Sequence, residues 1–137
     1  MSDGSFELQS AIYSTLTALS PALASGGIHA PAPQNAALPY VEIGESDAID
    51  ADVQTRKGLE ETLTIHIWTA AGSQKDAKQI MSRIRDALHA KNLTVTGRSA
   101  ALSMVRSTRV FTDDDEQSVH GVITVTVNHF GQKETSP

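Results

Sequence analysis

Five histidines, sixteen carboxylates and no cysteine are the residues of this chain from which chemistry could be built. Without cysteine there is no disulfide, no thiolate nucleophile and no Cys-based zinc or iron–sulfur site. A histidine metal centre needs ligands that converge. His29, His66, His89, His120 and His129 form none of the H-x-H, H-E-x-x-H or H-x₃-H spacings. His66 and His120 fall on the polar parity of two expected strands and are candidates to be neighbours, as a solvated pair rather than a metal site. The run Asp113, Asp114, Asp115 and Glu116 concentrates negative charge. A calcium loop alternates its oxygen ligands and places a glycine at its sixth position, whereas these acids are contiguous. Contiguous carboxylates repel one another and suit a solvated turn that faces a partner.

Nucleophilic catalysis finds no support either. There is no G-x-S-x-G elbow, and the strand serines and threonines are the polar half of an alternation. Ala71-Gly72-Ser73 opens a helix but lacks the phosphate-loop pattern. No pair of carboxylates is singled out by an apolar setting for acid–base work. The expectation is a protein without catalytic residues, cofactor or metal.

The charge distribution says more than the net −5. Residues 1–55 hold seven acids and no lysine or arginine; all eleven basic residues lie from Arg56 onward. Such polarity can steer and register protein contacts, while an acidic chain lacks the basic patch of a dedicated nucleic-acid binder.

The elements that carry these residues follow from periodicity. A length of 137 residues fits one domain, and its 39% hydrophobic and 20% charged content is that of a globular chain. No apolar run approaches a membrane span, and Met1-Ser2-Asp3-Gly4 lacks the features of a secretory signal. Leu8, Ile12, Leu16 and Leu19 predict a helix over 5–19. The proline-rich stretch 26–39 predicts a loop. Strands are expected at 40–49, with Gly44 marking a bulge, and at 59–69, where Leu63, Ile65 and Ile67 alternate with Thr62, Thr64 and His66. Residues 50–58 join them as a polar arm. Ala77, Ile80, Met81, Ile84 and Leu88 predict a helix over 73–90, with Ser73 and Asp76 at capping-box spacing and Asn92 as C-cap. Strands follow at 93–96, at 100–111 with mixed parity that suggests a bulge or exposure on both sides, and at 119–130; the tail from Gly131 is polar. The order α-β-β-α-β-β-β implies a single α+β domain, mainly antiparallel, with two helices on one face of the sheet. Phe6 and Tyr40 are expected in the core. Trp68 and Phe130, on the polar parity near strand ends, are candidate interface anchors.

Three stretches carry a family likeness: Ala11-Ile12-Tyr13-Ser14-Thr15-Leu16-Thr17-Ala18-Leu19, Leu38-Pro39-Tyr40-Val41-Glu42-Ile43-Gly44, and Thr62-Leu63-Thr64-Ile65-His66-Ile67-Trp68-Thr69 with the helix from Ser73 to Leu88. The strand near Arg109, the acidic turn and the opening His120-Gly121 extend it over nearly the whole chain. In order and spacing the chain resembles the tail-terminator, or tail-completion, proteins of long-tailed bacteriophages and gene transfer agents. The resemblance implies a non-enzymatic protein made in the bacterial cytoplasm and assembled at the head–tail junction of a particle. It implies a homo-hexameric ring that caps the tail tube, docks on the head-side stopper or connector and lets DNA pass as cargo, with no membrane partner. It transfers no catalytic residue.

A ring uses heterologous contacts, in which one face of each copy meets a different face of the next. Glu45, Asp47, Asp50 and Asp52 are therefore expected to meet Arg83 and Arg85, or Arg106 and Arg109, of a neighbour, with Trp68 as a further interface residue. The acids Asp113–Glu116 are expected at the lumen or an end face, where like charge would keep DNA from sticking. Two other readings remain open: another head–tail joining component, such as a stopper or minor tail protein, and a small-ligand-binding α+β domain with its pocket near His66 and His120.

Overall fold

The structure is a computed structural model, and it describes residues 3–112 and 118–131. The acidic run Asp113–Glu116 and the polar tail beyond Gly131 lie outside the described residues. The elements are α1 (Ser5–Thr17), β1 (Ile28–His29), β2 (Tyr40–Asp50), β3 (Gly58–Ala70), α2 (Gln74–Leu88), β4 (Lys91–Asn92), β5 (Ala100–Thr112) and β6 (Ser118–Phe130). They build an α+β domain on one six-stranded sheet in the order β1-β2-β3-β6-β5-β4. Among the described strands only the β1–β2 pair is parallel; the four long strands form antiparallel hairpins, β2–β3 and β5–β6, joined through β3–β6.

Alternation in the strands creates two unlike faces. Leu63, Ile65 and Ile67 of β3 and Ile123, Val125 and Val127 of β6 point to the helices and are buried. From α1, Leu8, Ile12 and Leu16 reach them along one stripe; from α2 come Ala77, Ile80, Met81, Ile84 and Leu88. Four-residue and three-residue spacings put these side chains on one side of each helix. The opposite face of the sheet has no helix over it among the described residues and carries Tyr40, Glu42, Thr62, Thr64, His66, Trp68, His120 and Arg109.

Several sequence expectations change in detail. The 26–39 stretch contains β1, because the Val41 N–H reaches Gly27 O at 3.0 Å and draws Ile28–His29 alongside β2. The strand expected at 93–96 forms instead at Lys91–Asn92. Ala90, at φ 55°, reverses the chain as α2 ends, and this brings Lys91 and Asn92 beside Ser103 and Leu102; Val95 is buried without a ladder. Asn92 is thus a strand residue, and His89 is the C-cap. Ser73 stands at the N-cap but makes no side-chain capping bond; its carbonyl accepts from Thr69 Oγ1. Phe6 is 71% exposed rather than in the core. It lies two residues from Leu8, about 200° around the helix. Tyr40 is half-buried on the helix-free face. The bulge expected at Gly44 is present, at Ile43/Ser46 in β2, and of the two alternatives for the mixed parity of β5 a bulge is found, at Val105/Ser107.

The turn into β2 is packed backbone to backbone. The Gly26 N–H donates to Pro39 O at 2.7 Å, and a Cβ on Gly26 would lie 1.7 Å from Ala37 O. Gly26→Ala must displace that backbone. Its expected effect is a destabilisation of about 2 kcal/mol, seen as a lower urea midpoint at unchanged m-value.

Candidate assembly surface

The helix-free face is organised around a row of rings. Tyr40, Trp68, His120 and Phe111 are successive cross-strand neighbours on β2, β3, β6 and β5. Trp68 stacks on His120 with ring centroids 3.7 Å apart and planes 13° from parallel; Tyr40 adjoins Trp68 at 6.4 Å. The next row contributes His66, whose Nδ1 lies 2.8 Å from His120 Nε2, and Arg109, whose guanidinium sits 4.6 Å above the Phe111 ring. The two histidines that sequence parity placed on the same face are in hydrogen-bond contact. Glu45 Oε1 stands 3.4 Å from His66 Nε2. No group of three or more His, Asp or Glu among the described residues is placed to hold a metal ion. Trp68 is half-buried within the stack, and its indole N–H is buried without a partner. Phe130 is half-buried where β6 meets Gly58.

Among the described residues, the sheet ends in two edges that are only partly covered. On one side β1 pairs with Val41 and Glu42 alone; beyond the bulge, Ser46 to Asp50 of β2 are exposed. On the other side β4 pairs with Leu102 and Ser103, and His89 Nδ1 accepts the Val105 N–H; beyond that bulge, Arg106 to Arg109 are exposed. Each bulge sits close to where its strand loses its short internal partner. The uncovered part of β2 and its turn carry Glu45, Asp47, Asp50 and Asp52, and the uncovered part of β5 carries Arg106 and Arg109. A hydrogen bond from Glu45's own backbone N–H, with His66 nearby, keeps that carboxyl below the usual range; the Gly58 N–H does the same for Asp52.

The expected contact residues thus separate into groups. Arg106 and Arg109 lie on the free β5 edge. Arg85 lies on the exposed side of α2, in a groove shared with Lys78, Thr108 and Arg109. Arg83 is engaged within the chain, donating to the carbonyls of Pro21 and Ala22. Asp52 closes the β2–β3 turn by accepting from Gly58 at 2.8 Å and pairing with Lys57 at 3.4 Å.

One polar network lay outside the sequence reading. Glu61 and His129 sit on the helix-facing side, 1% and 0% exposed, with His129 Nε2 3.0 Å from Glu61 Oε1. Arg98 Nε donates to His129 Nδ1 at 3.0 Å, which places the imidazole proton on Nε2, facing the carboxylate. Ser5 Oγ donates to Glu61 Oε2 at 2.6 Å. Burial pushes the Glu61 carboxyl up, but the hydrogen bonds from His129 and Ser5 outweigh it and hold the group below its ordinary range. Both His129 nitrogens are committed and Ser5 bonds the acid rather than a base, so the network locks the start of α1 to β3 and β6. The available signal was parity: Glu61 and His129 fall on the apolar register of their strands.

Two free strand edges of opposite charge, flanking an aromatic face, mark a two-layer α+β domain whose special surfaces suit contact with other proteins. The profile of the Tail completion protein gp17 family matches residues 10–129. A curated relative, tail completion protein gp17 of Bacillus phage SPP1, is 30% identical over 93 residues, 66% of this chain and 69% of that protein. A chain in the solved virion of a native gene transfer agent particle superposes with a TM-score of 0.83 at 21% identity, covering 96% of this chain and all of the other. The chain belongs to the tail completion protein gp17 family. No helix among the described residues is long and apolar enough to cross a membrane.

Proposed function

We propose that this protein completes a tail by forming a homomeric ring of six copies, which caps the tail tube, joins it to the head-side connector and leaves a channel for DNA. The observation that carries the reading is the polarity of the sheet: one free edge is acidic and the other basic, so one copy's edge complements a different edge of the next. That is the heterologous contact from which closed rings are built. Ile49 and Val53, 62% and 50% exposed at the end of the β2–β3 hairpin, add apolar surface suited to burial in an assembly. In this reading the acids Asp113–Glu116, between β5 and β6 in the sequence, would face the lumen or an end face.

Electron microscopy of the purified protein, alone and mixed with isolated tail tubes, tests this. A six-fold ring seated at one tube end is the expected image. A protein that stays monomeric and ignores tubes sinks the reading, and one that binds only the head-side connector reassigns it to another joining component.

A further inference from the structure

We infer that neighbouring copies join main chain to main chain, with Ser46–Asp50 of β2 extending the sheet beyond Arg106–Val110 of β5 in the next copy. This deepens the ring reading and rests on it. The four long strands alternate in direction, so β2 and β5, the outer two, run antiparallel. A rotation that carries one copy onto the next then brings β5 against an antiparallel β2, and the sheet continues without a break in its alternation.

The backbone fixes which residues can pair. Val41 sends its N–H outward to Gly27, while Ala51 sends its own inward to Gly58. Allowing for the bulge, the outward-facing groups of lower β2 belong to Ser46, Ala48 and Asp50. On β5, the Ala101 carbonyl and the Val105 N–H face outward, to Leu93 and His89; beyond the second bulge the outward groups belong to Thr108, Val110 and Thr112. Setting Ser46 opposite Val110 and Ala48 opposite Thr108 satisfies these groups and places Asp47 directly across from Arg109, on the helix-free face. Asp50 then faces Arg106.

The offset that this register demands is one that a closed barrel tolerates. Asp47 shares its cross-strand row with Thr62, Thr126 and Met104; Arg109 lies on the row of Val122, four residues along β6 from Thr126. Each copy is therefore staggered by four residues over four strands. Equal shear and strand number is the condition under which barrel strands tilt by roughly 36°. The coverage of the edges agrees: β1 caps the upper end of β2 and β4 the lower end of β5, leaving free the two halves that the stagger brings together.

The test exploits the absence of cysteine. Asp47→Cys with Arg109→Cys places two thiols at a non-hydrogen-bonded antiparallel pair, where the Cα separation suits a disulfide. Mild oxidation should give ladders of linked copies up to the full ring, while Asp47→Cys with Val110→Cys, which point to opposite faces, should not. Thr108→Pro removes one outward N–H at an edge position that tolerates proline; it should weaken assembly about tenfold or more with an unchanged circular dichroism spectrum. Rings that form in the wild type without the 47–109 link, or with equal linking at 47–110, or that persist in Thr108→Pro, overturn the pairing and leave the ring standing. Linked chains that never close overturn the ring and support the pairing. Unlinked monomers overturn both.

Discussion

His129→Ala is expected to destabilise the domain by about 3–5 kcal/mol, lowering the melting temperature by roughly 10 °C or more. The substitution empties a fully buried site and removes the donor that Glu61 faces at 3.0 Å. A buried carboxylate then keeps Ser5 but loses the imidazole and, through it, Arg98. Glu61→Gln should cost much less, since its amide oxygen can still accept from His129 and its NH₂ can face Ser5. The two variants also separate by pH. Glu61 ionises more easily folded than unfolded, so its contribution is fully present above its ordinary value near 4.5 and is lost as pH falls below that, through the folded value. Wild type should therefore lose stability in that acidic window and Glu61→Gln should show a flatter profile there. Urea unfolding between pH 6 and 3 reads both. Equal slopes in the two proteins would show that Glu61 is not held ionised by this network.

Reversal of the acidic edge should abolish assembly and leave folding intact. Glu45, Asp47 and Asp50 are exposed, so replacing all three with lysine disturbs no core contact; Asp52 is kept because it closes the Lys57–Gly58 turn. Every interface would then set lysines against Arg106 and Arg109. Like charges juxtaposed at an interface cost several kcal/mol, so the assembly constant should fall roughly 100-fold or more. The reciprocal variant, Arg106→Asp with Arg109→Asp, should fail in the same way. Mixed in equal amounts, the two should assemble again, because each copy's altered edge meets an opposite charge on the other variant. The rescued ring alternates and therefore has an even number of copies, as a hexamer does. Native mass spectrometry at low and moderate salt would show it. Rings from either variant alone, or no rescue on mixing, would remove charge as the source of polarity.

The same acids were visible in the sequence, and so was the basic half of the chain, but not the reason they face opposite ways. Composition separates acids before residue 56 from cations after it. It does not say that β2 and β5 become the outer long strands, because that depends on β3 pairing with β6, whose partners, from Ala70 and Ser118 to Gly58 and Phe130, lie far apart in the chain. Parity placed His66 and His120 on one face, and the register brought them to 2.8 Å. Phe6, apolar and expected in the core, is turned to solvent by the helical angle that separates it from Leu8.

What the sequence determined by itself was local: the two apolar stripes and the long strands, each a consequence of steric periodicity over neighbouring residues. Only the tertiary structure decided where the unpaired edges lie, why Glu61 and His129 can be buried, and that Lys91–Asn92 rather than residues 93–96 form the short edge strand. The first two depend on hydrogen bonds between segments far apart in the chain, and the third on where the chain reverses after α2, none of which a local apolar pattern specifies.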